Sequence, residues 1–210
     1  MLDEYLKNTY GENEPIFLSE LKIDGMSDVN VRQQLKKLTD NGKIKRYDTG
    51  IYFIPGKSIF RSGAKLSFDD VIRKKYLENG SQRCGYVSGI SFANQIGITT
   101  QVPMCCEVVS NKATKDYREL TLGKSKVALR KPKVTVDKDN YKELQFLDLI
   151  RNIDVLSDLP KEELIDRVFQ YMSRSQLLFE RLEKYLPYYP DKIYRNLYEM
   201  GLLSGVSAQG

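Results

Sequence analysis

Histidine is absent from the 210-residue chain, and this absence excludes several classes of active site. A Ser-His-Asp triad, a histidine general base and a histidine-ligated metal all require that side chain. Cysteine is scarce and odd in number, with Cys84, Cys105 and Cys106 alone, which favours reduced thiols. We expect Cys105 and Cys106 to lie on a strand, where adjacent side chains point to opposite faces and do not ligate one metal. The sequence therefore predicts no cofactor, no metal and no catalytic residue.

Long apolar runs are also missing. No run is long enough to cross a bilayer, and the first residues lack the apolar core of a signal peptide. We therefore expect a cytoplasmic protein that does not contact a membrane. The composition, 41% hydrophobic and 29% charged, is typical of globular proteins, and the length allows one large or two small domains.

The net charge of +5 is unevenly distributed along the chain. Residues 1–30 carry a net charge of −5 and residues 143–210 a net charge of −3. Between them, residues 31–61 and residues 111–142 each carry +6. Two basic blocks between acidic ends indicate a polyanionic partner, although a lysine-rich solvated surface would give the same pattern.

The stretch from residue 27 to residue 55 is the most informative part of the sequence. Its first half has the spacing of an amphipathic helix, with apolar residues at Val31, Leu35 and Leu38. Ser27 is suited to cap this helix, and Gly42 is suited to end it in a left-handed conformation. Two short strands, at 43–47 and 51–54, are predicted to follow as a basic hairpin.

The elements predicted before this stretch complete a recognisable order. They are a short helix at 2–9, an extended piece at 15–17 and a one- or two-turn helix at 18–21. Helix, strand, helix, turn, helix and hairpin is the order of a winged helix-turn-helix. One small core is predicted from Leu6, Phe17, Leu21, Val31, Leu35, Leu38, Ile44, Tyr52 and Ile54.

This order assigns DNA-binding roles, because the last helix of such a module enters the major groove. Asn and Gln pair with adenine edges, and Arg reaches guanine or phosphate. The predicted base-reading residues are Asn30, Gln33 and Gln34, with Arg32 beside them. The predicted phosphate contacts are Lys36, Lys37, Lys45 and Arg46, and Ser27 and Thr49 complete the set. The glutamines are equally compatible with a solvated face made of good helix formers.

The fold class predicted for the whole chain is α+β. Residues 1–56 form the winged helix-turn-helix, residues 57–66 a linker, and residues 67–210 a mixed domain with a small antiparallel sheet and C-terminal helices. The mixed domain is predicted to open with a helix from Ser67 to about Glu78, capped by a box formed by Ser67 and Asp70.

Further elements are predicted within the mixed domain. A small helix is expected at 89–95, and strands at 105–109, 117–122, 126–130 and 133–136. Helices are expected from residue 140, from Pro160, around 177–186 and around 193–200. The second of these helices is predicted to turn inward Leu164, Ile165, Val168, Phe169 and Met172.

No enzymatic motif is complete in the sequence. Gly123-Lys124-Ser125 resembles the end of a P-loop, but the glycine required five positions earlier is Arg118. The best remaining carboxylates, Asp137 and Asp139 near Lys133, would be the place for a metal-dependent nuclease site.

Two runs of residues resemble a known family. IKRYDTGIYFIP, at 44–55, is similar to the wing of AbiEi-like antitoxins of bacterial type IV toxin–antitoxin and abortive-infection systems. GISFANQIGITTQVP, at 89–103, is the more specific match, through Gly89, Asn94, Gly97 and the Thr-Gln-Val-Pro run at 100–103. The resemblance covers roughly residues 1–152.

The resemblance implies a transcriptional autorepressor whose winged helix binds operator DNA. It also implies that the remaining domain acts as an antitoxin against a neighbouring nucleotidyltransferase-like toxin, with or without direct contact. Such repressors often bind inverted repeats as dimers, so a homodimer and a cooperatively binding monomer both stay open. The segment from Lys124 to Lys133 matches no motif position.

Two other hypotheses remain open from the sequence alone. One is a nucleic-acid-processing enzyme, a nuclease or a nucleotide-modifying activity in residues 64–210, targeted by the winged helix. The other is a protein-interaction adaptor that uses the acidic, tyrosine-rich helical end to recruit a partner.

Overall fold

The computed structural model describes residues 2–57 and 63–203 of the chain, which is built from both helices and small sheets. The chain divides into two compact units, Met1–Lys74 and Lys75–Gly210. The predicted linker at 57–66 lies partly outside the described residues. The helix that was expected to open the second domain belongs to the first unit by this division.

The first unit follows the predicted order of elements. Helix α1 spans Leu2–Thr9, strand β1 Ile16–Phe17, a single 3₁₀ turn Leu18–Glu20 and helix α2 Asp28–Asp40. Strands β2, Lys45–Asp48, and β3, Ile51–Phe53, then form the hairpin. The three strands pair antiparallel in the order β1-β3-β2.

Local signals in the sequence set the ends of α2. The Ser27 hydroxyl accepts the Asn30 N–H at 3.4 Å, which satisfies one of the free donors of the first turn. Gly42 has a φ of 70°, a conformation that glycine adopts without a Cβ clash, and Lys43 N donates to Leu38 O at 2.9 Å. The predicted cap and stop of this helix are confirmed.

The core of the first unit contains the predicted apolar residues. Helices α1 and α2 bury their stripes against β1 and the segments beside it, forming a cluster of Leu2, Leu6, Ile16, Leu21, Val31, Leu35, Leu38 and Ile44. Phe17 is also buried, and Tyr52 and Ile54 pack against the cluster while partly exposed. Burial of these side chains removes apolar surface from water and is the main force that holds the helices to the sheet.

The helix predicted from Ser67 to Glu78 is too long. Helix α3 spans only Phe68–Ile72 and continues as a π-helical turn, Arg73–Leu77. Strand β4, Glu78–Asn79, then pairs with β5, Gln82–Arg83, so Asn79-Gly80 is part of a hairpin turn. The predicted capping box is also wrong: Ser67 Oγ accepts from Asp69 N at 3.2 Å, whereas Asp70 pairs with Arg73 at 3.0 Å.

The second unit contains a four-stranded sheet, and its predicted antiparallel order is wrong. Strands β6, Gly85–Ser88, β7, Cys105–Ser110, β8, Tyr117–Leu122, and β9, Ser125–Arg130, lie in the order β6-β7-β9-β8. The β8–β9 hairpin is antiparallel, but β7 pairs with β9 in parallel, so the sheet is mixed. After β7, the 111–116 connection skips the neighbouring position, which β9 later fills, and places β8 at the edge. The pattern of each strand alone does not reveal this order.

The strand predicted at 133–136 is absent from the described residues. This segment is irregular, and the Asn111 side chain holds it at one point. Asn111 Nδ2 donates to Val136 O at 2.8 Å, and Val136 N donates to Asn111 Oδ1 at 2.9 Å. A side-chain amide therefore satisfies backbone groups that a neighbouring strand would otherwise bind.

Helices cover one part of the sheet and supply most of the second core. They are α4, Gly89–Gln95, α5, Tyr141–Arg151, α6, Ile153–Leu156, α7, Lys161–Ser175, α8, Phe179–Glu183, and α9, Lys192–Glu199, with a 3₁₀ turn at Leu186–Tyr188 before α9. Helix α5 is buried along nearly its whole length and places Leu144, Phe146, Leu147 and Ile150 in the core with Tyr86 and Val109 of the sheet.

The helix predictions for this unit are mostly confirmed, with two differences. The helix expected at 177–186 is broken, because Gln176 ends α7 with a φ of 56° and only short segments follow. Phe169, predicted inward, is 46% exposed, since Leu164, Val168 and Met172 form the buried stripe of α7. Among the described residues, no helix combines the length and the apolar character that crossing a bilayer requires.

Candidate nucleic-acid interface

Helix α2 turns a polar face outward from the first unit. Val31, Leu35 and Leu38 form its buried stripe, and about 100° of rotation per residue places Gln33 and Lys36 on the opposite side. Arg32 and Lys37 flank these two residues on either side of the same exposed surface. The predicted DNA-binding residues that belong to α2 and are exposed therefore lie on one surface. Arg32 and Asn30 are at its two edges.

The three amide side chains of α2 differ in what they contact. Gln34 is half-buried, and its Nε2 donates to Asn30 Oδ1 at 3.3 Å along the helix surface. Gln33 is exposed and has no hydrogen-bond partner among the residues the structure describes. Gln33 is thus the amide that can pair both its oxygen and its nitrogen with a base edge.

The cations of α2 are also unengaged. Arg32, Lys36 and Lys37 are exposed and form no ion pair with any described residue. Lys43, just after the helix, is instead bound by Asp3 of α1, and this contact holds the pKa of Asp3 below its usual value. The exposed face of α2 therefore carries positive charge that no described residue neutralises, whereas Lys43 is neutralised within the unit.

The hairpin places its two basic residues in different environments. Consecutive strand residues point to opposite faces, so Lys45 and Arg46 of β2 diverge. Lys45 is half-buried, and its Nζ donates to Ala64 O at 3.3 Å. Arg46 is exposed and folds over the turn, donating to Asp48 O and to Thr49 Oγ1, both at 3.2 Å. Arg46 and Thr49 are therefore together at the hairpin tip, and Lys45 is not with them.

A shallow groove of about 600 Å³ runs between α2 and the start of α1. Its α2 side is formed by Asn30, Gln33, Gln34 and Lys37, and its other side carries Asp3 and Glu4. Lys43 lies on that side as well, where it is paired with Asp3. Arg32 and Lys36, on the far side of α2, form no ion pair with any described residue.

A buried polar network in the second unit gave no signal in the sequence. Asp148 of α5 is only 6% exposed and accepts hydrogen bonds from the Tyr86 hydroxyl at 3.1 Å and from Ser88 Oγ at 3.4 Å. Arg130 and Arg151 approach the same carboxylate at 3.5 and 3.4 Å. Burial, followed by the Asp148 charge, raises the pKa of Tyr86. The partners come from β6, β9 and α5, which are distant in the sequence, so only the fold reveals the network.

The distinctive run at 89–103 forms α4 and a braced loop. Asn94 Nδ2 donates to Thr99 O at 3.3 Å and to Gln101 O at 3.2 Å. Asp158 accepts from the backbone N–H and the hydroxyl of Thr100, each at 2.9 Å, and from Thr99 Oγ1 at 3.2 Å. These bonds lower the pKa of the Asp158 carboxyl. The side chains of Asn94, Thr99 and Thr100 are thus engaged in holding the loop.

Of the two carboxylates considered for a nuclease site, that of Asp137 has a structural use. Asp137 accepts the Asp139 N–H at 2.8 Å and Asn140 Nδ2 at 3.3 Å, at the start of α5. Within residues 2–57 and 63–203, no group of three or more Cys, Asp or Glu side chains could hold a metal ion. Cys105 and Cys106 lie on β7 as expected.

A family model described as a family of unknown function (DUF6088) matches residues 5–177 of the chain. No curated protein matches the sequence.

Proposed function

Because the chain belongs to DUF6088, a family of unknown function, we propose its role from geometry and resemblance: a DNA-binding transcriptional autorepressor that is also the antitoxin of a type IV toxin–antitoxin system. The observation that carries the DNA-binding half is the outward face of α2. The amide of Gln33 lies there beside the cations of Arg32 and Lys36, and none of the three has a partner among the described residues. That combination suits base edges and phosphates together.

The arrangement of the first unit supports a winged helix-turn-helix. The order α1, β1, 3₁₀ turn, α2, β2, β3 matches such a module, and the hairpin strand β3 pairs with β1. In a helix-turn-helix, a helix packs behind the one that enters the groove. Here the element before α2 is only a single 3₁₀ turn, Leu18–Glu20. In our proposal α2 enters the major groove and the hairpin tip, with Arg46 and Thr49, contacts the backbone beside it.

The antitoxin half of the proposal rests on the resemblance carried by residues 89–103. Asn94 and Asp158 brace that loop as far as Gln101, and the Val102 and Met104 side chains that follow are 85% and 91% exposed. In our proposal this loop takes part in the antitoxin activity. The toxin in question is a nucleotidyltransferase-like protein encoded beside this chain.

The decisive variant is Gln33→Ala, because it removes the free amide and leaves the buried stripe of α2 untouched. In gel shifts with the DNA upstream of its own reading frame, we expect the loss of one bidentate pair to cost about 1–3 kcal/mol of preference over random DNA. Gln170→Ala, an exposed glutamine on α7, is the matched control and should bind as the wild type.

The same variants separate the two activities in cells that carry a promoter reporter and an inducible copy of the neighbouring toxin. Wild type should repress the reporter and restore growth, and Gln33→Ala should restore growth without full repression. Equal affinity of the wild type for its promoter and for random DNA would contradict operator binding. Failure of the wild type to restore growth would contradict the antitoxin role alone.

A further inference from the structure

Val29 is an apolar residue placed on the polar face of α2. Its side chain is 63% exposed, and within the described part of the first unit it is the only large hydrophobic residue with such exposure. Every other apolar position of α2 is buried. The surrounding residues of the same surface are Arg32, Gln33 and Lys36, all exposed and polar.

The helix holds Val29 in a defined position. Ser27 caps the first turn, so Val29 is the second residue of a well-formed helix. Residues three and four positions apart are neighbours on a helix surface, with about 5–6 Å between Cβ atoms, which places Val29 beside Arg32 and Gln33. A β-branched side chain is also stiff at χ1 in a helix, so its two methyl groups point in a fixed direction.

An apolar side chain such as that of Val29 is expected to contact an apolar group of the DNA. The major groove presents mostly donors and acceptors, and the thymine C5-methyl is its apolar group. A carboxamide such as that of Gln33 pairs with adenine, the base whose partner is thymine. Two neighbouring side chains thus favour the same kind of base pair by independent means.

We infer that Val29 packs against a thymine methyl in the major groove and is a specificity-determining residue of this protein. The inference rests on the proposed DNA-binding function and deepens it by naming the base. Successive base pairs are about 3.4 Å apart along the duplex, so the spacing of Val29 and Gln33 covers one or two steps. The bound sequence therefore contains a thymine within two base pairs of the adenine that Gln33 reads.

Deoxyuridine tests this contact directly, because it pairs as thymidine does but lacks the methyl group. The full chain is titrated with its promoter fragment prepared with thymidine or with deoxyuridine throughout, and with a random fragment prepared in both ways. Wild type should lose about fourfold in affinity for the promoter for each methyl that Val29 contacts. Val29→Ser should show the weaker affinity on both promoter fragments and no longer distinguish them.

Val155→Ser is the matched control, since Val155 is 67% exposed on the short helix α6. It should keep both the affinity and the deoxyuridine sensitivity of the wild type. Equal binding of wild type to the two promoter fragments would overturn the inference and leave operator binding intact. Sensitivity retained in Val29→Ser would overturn it as well. If the wild type showed no preference for its promoter over random DNA, both the proposed operator binding and the Val29 contact would be contradicted.

Discussion

At Gly89, the first residue of α4, both the backbone conformation and a neighbouring side chain disfavour any residue that has a Cβ. Its φ of 59° lies in the left-handed region, which disfavours any residue with a Cβ. A Cβ at this position would also overlap the Glu107 carboxylate of the adjacent strand β7. Glu107 pairs with Arg130 at 3.6 Å, so moving its carboxylate away from an added Cβ would weaken that ion pair.

We predict that Gly89→Ala destabilises the second unit by about 1–3 kcal/mol, since the strain of the left-handed conformation adds to the loss of the Glu107–Arg130 ion pair. Gly97→Ala is the matched control: its φ is 74°, but nothing lies within 4 Å of the added Cβ, so only the strain of about 1–2 kcal/mol applies. Urea unfolding followed by circular dichroism measures both. Equal losses in the two variants would contradict the role given to Glu107.

At the scale of single residues, the sequence predicted what depends on near neighbours. Ser27 and Gly42 were identified because caps involve residues a few positions apart. The environments of Lys45 and Lys43 could not be predicted, because their partners, Ala64 and Asp3, are 19 and 40 positions away. Charge and spacing alone make all lysines of a basic block look equivalent.

At the scale of elements, most helices were predictable, but the order of the strands in the sheet was not. Helix α5 was recognised from its apolar spacing and is confirmed at Tyr141–Arg151. Strands β7, β8 and β9 were recognised individually as well, but periodicity carries no information on which strand pairs with which. The parallel pairing of β7 with β9 depends on the path of the 111–116 connection, a property of the whole sheet.

Helix α5 joins the sheet through the Asp148 network as well as through its apolar face. Asp148 binds Tyr86 and Ser88 of β6 and lies beside Arg130 of β9, so one carboxylate links a helix to two strands. Gln145, one turn earlier, donates to Val87 O at 2.7 Å. Buried polar bonds of this kind fix the register of a helix on a sheet, because any shift leaves groups unpaired.

Removing the Asp148 carboxylate should therefore be costly. We predict that Asp148→Ala lowers the free energy of unfolding by about 3–5 kcal/mol, because it leaves the charges of Arg130 and Arg151 in a partly buried site without their shared partner. Asp154→Ala is the matched control, since Asp154 is 41% exposed and its pair with Lys192 lies at the surface. That change should cost less than about 1 kcal/mol. Similar losses in both variants would show that the network adds little.

At the scale of the whole molecule, the two basic blocks lie in different units. Residues 31–61 belong to the first unit and residues 111–142 to the second. The net charge of each block predicted a polyanionic partner. A net charge does not distinguish an exposed cation from one that is bound within the fold. In the first block, Lys36 is exposed on the proposed DNA-facing side of α2, whereas Lys45 is half-buried against Ala64. These two lysines carry the same charge and differ mainly in accessibility.

This difference predicts a difference in the salt dependence of DNA binding. Each phosphate contact contributes about −0.9 to the slope of log affinity against log salt concentration for duplex DNA. Lys36→Gln should therefore reduce the slope by about 0.9 and weaken promoter and random DNA alike, because a phosphate contact carries no sequence information. Lys45→Gln should leave the slope nearly unchanged. Fluorescence anisotropy titrations between 50 and 200 mM salt, a range of about fourfold, resolve such a change. If Lys45→Gln reduced the slope as much as Lys36→Gln, the DNA would have to reach the face of the hairpin that Ala64 now occupies.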